Sequence, residues 1–299
     1  MFGKLEGTLR RIVCVGLGYS ARAIAARLDK TVWSAVGTAR AESDVGTIRE
    51  GGLDGIQFDG TAASPDLAAA IRSATHLVVS APPNGDGDPL LRHHRDDVAA
   101  AGRLEWVCYL STIGVYGDRG GDWVSETDEP RPSSERSRWR LAAEREWLAS
   151  CGVSGRRLVI LRLGGIYGPG RSTIDGLLAG TAKRIVKPGQ IFNRIHVDDI
   201  ANAAIASMDV PHGAGVFNVV DDEPSPPQDV VTFAARLIGR EPPPEIAFED
   251  AALSPMGRSF YAESKRVRND LMKRVLGIEM IYPTYREGLT EIARTMRLS

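Results

Sequence analysis

Cysteine is scarce in this chain, with three residues among 299, at positions 14, 108 and 151. Cys14 and Cys108 lie in apolar runs that read as buried strands, and Cys151 falls just past a predicted helix. Reduced thiols are expected, not a disulfide framework. No Cys/His spacing suits a metal, so no metal site is expected. Net charge is scarce too, at −1. No basic field points to nucleic acid or an anionic membrane surface. Apolar runs of membrane-spanning length are absent. Residues 1–10 hold no apolar stretch of signal-peptide length, so a cytoplasmic protein is expected. What remains, 43% hydrophobic and 25% charged residues, is the composition expected of an ordinary soluble globular protein.

Strand-like and helix-like segments alternate through the first half. Residues 12–15, 32–36, 56–58, 76–80, 106–110 and 158–163 read as apolar strands. Helical patterns fall at 21–28, 44–50, 64–73, 89–101 and 138–150, the last ended by Gly152. Ser64-Pro65 gives a capped helix start with Pro at the first helical position. This alternation predicts βαβ units and a doubly wound parallel sheet, covered on both faces. The second half is more broken. Strands are expected at 191–195 and 216–220, with helices at 199–208 and 229–238 and short elements around 271–276 and 282–289. The Pro-rich stretch 241–244 reads as a connector. The expected division is a Rossmann-like nucleotide-binding domain over 1–170 and a smaller C-terminal substrate-binding region over 171–299. Residues 191–220 of that region would return to the Rossmann-like core.

Gly16-Leu17-Gly18-Tyr19-Ser20-Ala21 follows a strand and opens a helix, the context that a dinucleotide-binding turn requires. Gly16 permits the tight turn. Gly18 lets the backbone approach a pyrophosphate, whose charge the helix amides would meet. Ala21 stands for the third glycine and still allows close packing. The competing reading is a tight turn that binds nothing. The end of the second strand, Val36-Gly37-Thr38-Ala39-Arg40, lacks the acid that grips a ribose diol. It offers Arg40 where a 2′-phosphate would sit, so NADP is expected over NAD.

With these pieces in place, the chain resembles the extended short-chain dehydrogenase/reductases, the NAD-dependent epimerase/dehydratase family. The resemblance covers nearly the whole length. It rests on the Gly motif, Asp59, Ser111-Thr112 leading to Val115-Tyr116-Gly117, and Leu161-Arg162-Leu163 through Gly168-Pro169-Gly170-Arg171. It rests also on Arg194-Ile195-His196-Val197-Asp198-Asp199 and Phe217-Asn218-Val219-Val220-Asp221. It implies that Asp59 sits beside the adenine and that Ser80, Ala81 and Pro82 line the cofactor. It implies that Thr112 is the catalytic hydroxyl and that Tyr116 lies at the substrate side. Arg171 is a candidate anion contact for substrate.

One absence is the most informative. The family's catalytic Tyr and the Lys four residues later fall on Arg136 and Arg140, with an acid, Glu144, four beyond. No Tyr occurs between Gly117 and Ile166. A phenol can pass a proton during hydride transfer, whereas a guanidinium stays protonated. Arg140 could still hold a ribose or phosphate; alternatively both arginines are solvated on a surface helix. His93-His94 reads as a solvated pair, His196 as part of a structural segment, and Tyr167 as a packing residue. The chain therefore resembles an atypical, Tyr-less member. Two functions are open. One is an NAD(P)-dependent oxidoreductase or epimerase on a small polar or sugar-derived substrate. The other is a non-catalytic NADP(H)-binding sensor or scaffold. Either would act as a monomer or homodimer, without nucleic acid or membrane.

Overall fold

The alternating apolar runs build one seven-stranded sheet. A computed structural model describes residues 9–210 and 215–298. The strands are β1 (Arg10–Val15), β2 (Trp33–Ala39), β3 (Asp54–Gln57), β4 (His76–Val79), β5 (Trp106–Thr112), β6 (Trp123–Val124), β7 (Arg157–Leu163), β8 (Gly165–Tyr167), β9 (Arg184–Val186), β10 (Arg194–His196), β11 (Gly215–Val219), β12 (Glu245–Ala247) and β13 (Arg266–Val267). The helices are α1 (Tyr19–Ala26), α2 (Glu42–Glu50), α3 (Pro65–Ser73), α4 (Pro89–Ala100), α5 (Glu135–Ser154), α6 (Thr173–Leu178), α7 (Val197–Asp209), α8 (Pro227–Leu237), α9 (Pro255–Phe260), α10 (Asp270–Leu276) and α11 (Tyr285–Leu298). The large sheet has the order β11-β7-β5-β4-β1-β2-β3. The pairs β1–β2, β2–β3, β1–β4 and β4–β5 are parallel. This is a Rossmann-like α/β fold. The described residues form two compact units. One comprises those of Met1–Ser111, Trp139–Ile160 and Ser207–Gly215, the other those of Thr112–Arg138, Leu161–Ala206 and Val216–Ser299.

In the first unit β1 and β4 are buried from Ile12 to Val15 and from His76 to Val79. Burial on both faces explains their unbroken apolar runs. The chain leaves β1 toward β2 and β3, then crosses back to β4. The switch point therefore lies between β1 and β4, where open α/β sheets bind ligands at the carboxyl ends of the strands. The helix starts follow local chemistry. Ser64 Oγ caps α3 by accepting from the Leu67 amide at 3.4 Å, with Pro65 at the first position. Asp88 caps α4 by accepting from the Leu90 and Leu91 amides at 3.0 and 3.1 Å. Trp147 Nε1, on α5, donates to the other Asp88 oxygen at 3.2 Å.

Three expectations need correction. His94 is not solvated. A kink at His94 (φ −133°) turns its ring inward, where Nε2 accepts from the Ser64 amide at 3.1 Å and Nδ1 pairs with Asp97 at 2.8 Å. The helix expected at 138–150 is longer, running through Gly152 and enclosing Cys151, which is buried within it. It stops at Gly155, whose φ of +66° a residue with a side chain rarely adopts. The stretch 191–195 is not a strand of the large sheet. Only Arg194–His196 is strand, and it pairs with β8. Ahead of it, polar side chains replace the ladder. Gln190 donates to the Glu263 carbonyl at 2.7 Å, and Asn193 donates to the Lys265 carbonyl at 3.0 Å and accepts from the Val267 amide at 2.8 Å. Among the described residues no helix is long and apolar enough to cross a membrane.

Candidate functional site

The turn after β1 is built around a backbone conformation and a close approach. Gly16 has φ +83°, and a Cβ there would lie 2.9 Å from the Ala81 amide nitrogen. It cannot carry a side chain. Its amide donates to Thr38 Oγ1 at 2.8 Å, and its carbonyl accepts from Ser80 Oγ at 2.9 Å. The Ala81 amide donates to the Val15 carbonyl at 3.0 Å. The turns after β1 and β4 are thus locked to each other at the switch point. Gly18 is different. It is exposed, and a Cβ built on it meets nothing within 4 Å. Gly18 is the N-cap of α1 and supplies no side-chain cap to the first-turn amides. Tyr19 is half-buried, while Ser20 and Ala21 are buried against the sheet. An open backbone approach beside an uncapped helix start is a fitting seat for a pyrophosphate.

Arg40 is exposed just past β2 and forms no ion pair among the described residues. Asp59 is exposed after β3, where its Oδ1 accepts from the Thr61 amide at 2.9 Å and the Thr61 hydroxyl at 2.7 Å. Those two bonds hold the carboxyl below its ordinary range. Ser80 and Ala81 are half-buried and Pro82 is exposed. Arg140 is half-buried on α5. Its Nη1 donates to the Leu110 carbonyl at 2.9 Å and to Tyr109 Oη at 3.2 Å. The first unit therefore holds every residue expected to touch the cofactor.

The end of β5 treats its two hydroxyls oppositely. Ser111, in the first unit, donates a short hydrogen bond to the buried carboxylate of Glu144 on α5. Thr112, in the second unit, is half-buried and caps the 3-10 turn Ile113–Tyr116 by accepting from the Gly114 amide at 3.1 Å. Tyr116, expected at the substrate side, has another task. It is fully buried, and its hydroxyl donates to Asn218 Oδ1 at 2.8 Å and accepts from Arg162 Nη1 at 3.0 Å. A phenol with both roles filled inside the unit is a strut, not a ligand contact. Burial is the main cause that raises its pKa, against the opposing pull of Arg162.

At the start of α5, Arg136 is exposed and its Nη2 lies 3.5 Å from Ser259 Oγ on α9. Ser137, which has no place in the family motif, is buried beside it. Ser134 accepts from the Ser137 amide at 3.2 Å and donates to Ser137 Oγ at 2.9 Å. The available signal in the sequence is a Ser three residues ahead of another Ser at a helix start. Arg171 is exposed after a turn whose Gly170 has φ +72°. Tyr167 packs its ring edge against His196, with centroids 5.1 Å apart. The His196 segment is a staple. Its Nδ1 accepts from the Asp198 amide at 3.2 Å, and Asp199 accepts from the Ile281 and Tyr282 amides at 2.7 and 3.1 Å. Burial is the first cause that pushes the phenols of Tyr109, Tyr116, Tyr167, Tyr261 and Tyr285 above their ordinary range. No group of three or more His, Cys, Asp or Glu side chains that could hold a metal occurs among the described residues.

Comparison with known proteins places this geometry among relatives. The model of the NAD dependent epimerase/dehydratase family matches residues 96–219. The solved structure of a functionally unknown conserved protein from Silicibacter pomeroyi DSS is 43% identical, with a TM-score of 0.86 over 96% of this chain and 99% of that one. Protein YeeZ from Escherichia coli K12 is 29% identical over 92% of this chain and 97% of its own length. A 3-diazoavenalumate denitrifying reductase from a Streptomyces species is 32% identical over 50% of this chain and 51% of its own length.

Proposed function

We propose that this chain, whose residues 96–219 match the model of the NAD dependent epimerase/dehydratase family, is an NAD(P)-binding oxidoreductase or epimerase on a small polar or sugar-derived substrate, with NADP preferred. The observation that carries the reading is the open approach at Gly18 beside the uncapped start of α1, at the β1/β4 switch point. Gly16, Gly18, Tyr19, Ser20 and Ala21 would hold the pyrophosphate. Arg40 would pair with a 2′-phosphate, and Asp59 would face the adenine. Ser80, Ala81, Pro82 and Arg140 would line the remainder. A bound nicotinamide supplies or accepts a hydride. A relative described as a reductase supports net hydride transfer as the class. The protein is proposed to be cytoplasmic, as a monomer or homodimer.

This chain's own part in the chemistry is limited. Arg136 stands at the Tyr position, and a guanidinium there can attract an anion but cannot trade a proton. Thr112 is proposed as the catalytic hydroxyl. Arg171 is proposed as an anion contact for substrate. General acid help is typically worth about 10²–10⁴-fold. Turnover on the carbonyl substrates of Tyr-containing relatives is therefore expected to be slow. The test is calorimetric titration with NADP⁺ and NAD⁺. Tight binding of NADP⁺ is expected, and binding of neither sinks the reading. A second reading, a non-catalytic NADP(H) sensor, is favoured by Arg136 alone. It predicts cofactor binding, no turnover, and a cofactor-dependent change in protease sensitivity of the second unit.

A further inference from the structure

Consecutive side chains of α4 hold the loop that joins β3 to α3 in the first unit. Arg92 Nη2 donates to the Gly60 carbonyl, and His93 Nε2 lies 3.0 Å from the same oxygen. His94 Nε2 meets the Ser64 amide at 3.1 Å, and its ring packs edge-on against Phe58 with centroids 5.4 Å apart. Successive side chains on a regular helix diverge by about 100°. The break at His94, with φ −133° and ψ 20°, brings a further neighbour onto the same loop. The loop lies close on α4. Gly60 has φ +81°, and a Cβ there would lie 2.8 Å from Pro89 Cβ. The His94 ring is fixed from both sides. A backbone amide can only donate, so Nε2 is the acceptor and Nδ1 gives its hydrogen to Asp97 Oδ2 at 2.8 Å. Arg72 Nη2 donates to the other Asp97 oxygen at 2.6 Å. Asp59 stands directly before the anchored Gly60. Thr61 occupies its Oδ1, and among the described residues its Oδ2 has no partner.

We propose that His94 and Arg92 are positioning residues that fix the β3–α3 loop so that Asp59 Oδ2 accepts from the 6-amino group of the cofactor's adenine, and that they thereby set a preference for adenine over hypoxanthine dinucleotides. The inference rests on the cofactor reading above and adds which side chains aim the carboxylate. Ordering a free loop on binding costs conformational entropy that offsets the bond it makes. The anchors on α4 remove that cost in the folded chain. Holding the loop also decides selectivity. Hypoxanthine carries a carbonyl at position 6, so a carboxylate fixed there sets an acceptor against an acceptor. A carboxylate on a mobile loop turns instead to the neighbouring ring N–H of hypoxanthine and tolerates both bases.

The experiment uses the full chain and calorimetric titration with NADP⁺ and with nicotinamide hypoxanthine dinucleotide phosphate. The two nucleotides carry the same charge, so the loss of a cation cancels in the ratio of their affinities. The wild type should favour the adenine form about fivefold, the contribution of roughly one exposed hydrogen bond. Asp59→Ala should abolish the preference. His94→Phe keeps a ring against Phe58 but cannot accept from the Ser64 amide, and should bring the ratio close to one. Arg92→Ala should lower the ratio as well. Adding either change to Asp59→Ala should alter the ratio no further, because both act through the same carboxylate. His94→Gln should restore the ratio, since its side-chain carbonyl can accept from the same amide. Thr75→Val, at the far end of the sheet, is the control for stability alone. It should lower the unfolding midpoint and keep the wild-type ratio. A wild-type ratio in His94→Phe and Arg92→Ala overturns the proposal, and its loss in Asp59→Ala then leaves the Asp59 assignment standing. Arg92 is exposed, so Arg92→Ala decides the matter if His94→Phe does not fold. A wild type that binds both nucleotides equally overturns the Asp59 assignment and the proposal with it. A wild type that binds neither overturns the cofactor reading instead.

Discussion

In the first unit, the two ends of the same parallel strands are built to opposite rules. At the carboxyl ends, Gly18 is open, Arg40 is exposed without an ion pair among the described residues, and α1 begins without a side-chain cap. At the amino ends the chain is closed. His76 opens β4, buried between Trp33 and Trp106 with ring centroids 4.7 and 5.6 Å away. Arg10 lies over the Trp33 ring at 5.4 Å. Thr75 Oγ1 accepts from the Arg11 amide at 2.9 Å and donates to the Arg11 carbonyl at 3.0 Å. Unspent donors and open backbone cost stability locally and are kept where a ligand completes them. Satisfied donors and packed rings hold the strands in register. Substitutions at one end should therefore move binding, and at the other end stability.

The largest effect is expected at Gly18. A valine there projects into open space, so folding is untouched, but the branched side chain occupies the pyrophosphate's approach. Gly18→Val should abolish measurable dinucleotide binding by calorimetry, with the unfolding midpoint unchanged. Gly16→Val is the internal contrast. Its Cβ runs into Ala81 and its φ is unfavourable for a side chain. It should lower the unfolding midpoint as well. If Gly18→Val unfolds the protein, the two glycines are not separable and the comparison fails at its open end.

The closed end should answer to pH. Burial is the first cause that lowers the His76 pKa from 6.5 to about 4, with the charges of Arg10 and Arg157 adding to it. The unfolded chain takes up a proton below about pH 6.5, whereas the folded chain resists until about pH 4. Stability is thus fully present at neutral pH and is lost as pH falls through that window, by up to about 3 kcal/mol. Urea unfolding at pH 7 and pH 4.5 should show a loss that His76→Gln lacks. Identical pH slopes in the two proteins would contradict the assignment. NADP⁺ affinity at pH 7 should not change in His76→Gln.

A smaller effect is expected at Thr75. Replacing it with Val keeps the shape and leaves the Arg11 amide without its partner, while the Arg11 carbonyl still accepts from the Thr75 amide at 2.9 Å. An unsatisfied buried backbone group costs about 1–3 kcal/mol. Thr75→Val should lower the free energy of unfolding by that much and leave cofactor affinity alone. A shift in cofactor affinity without loss of stability would reverse the comparison.

The sequence is most legible where local chemistry decides the outcome. Ser64-Pro65 sets the start of α3, and the Gly16 and Gly18 spacing marks the turn after β1, because each effect acts within a few residues. It is least legible where distant partners decide. His94 is buried because the Ser64 amide, 30 residues away, meets its ring. Residues 190–193 carry an apolar pattern, yet their polar side chains bind the backbone at 263–267, and no strand of the large sheet forms there. Tyr116 has the motif of a site residue. Its fate depends on Asn218, 102 residues on. Ser137 is hidden for a related reason. Positions 136 and 140 stand out as arginines, and nothing local marks the buried hydroxyl between them, which packs against Gly114, more than 20 residues earlier.

The smallest effect concerns Arg40, and it sharpens what the open end is open to. Among the described residues Arg40 is a cation past β2 with no acid paired to it, and the Gln57 amide holds only its carbonyl, at 3.1 Å. A guanidinium presents donors that match a phosphate's oxygens. Because the group is exposed, water and salt screen it, and the contact should be worth roughly 1.5 kcal/mol, the low end for a hydrogen bond to a charged group. That corresponds to about tenfold in affinity. Arg40→Ala should weaken NADP⁺ by this factor, leave NAD⁺ nearly unchanged, and leave the unfolding midpoint where it was. The difference should shrink as salt is raised, since an exposed ion pair is screened within a Debye length of about 8 Å at physiological ionic strength. Equal weakening of both nucleotides would show that Arg40 does not read the 2′-phosphate. A fall in stability would place it with the amino-end residues as a structural group.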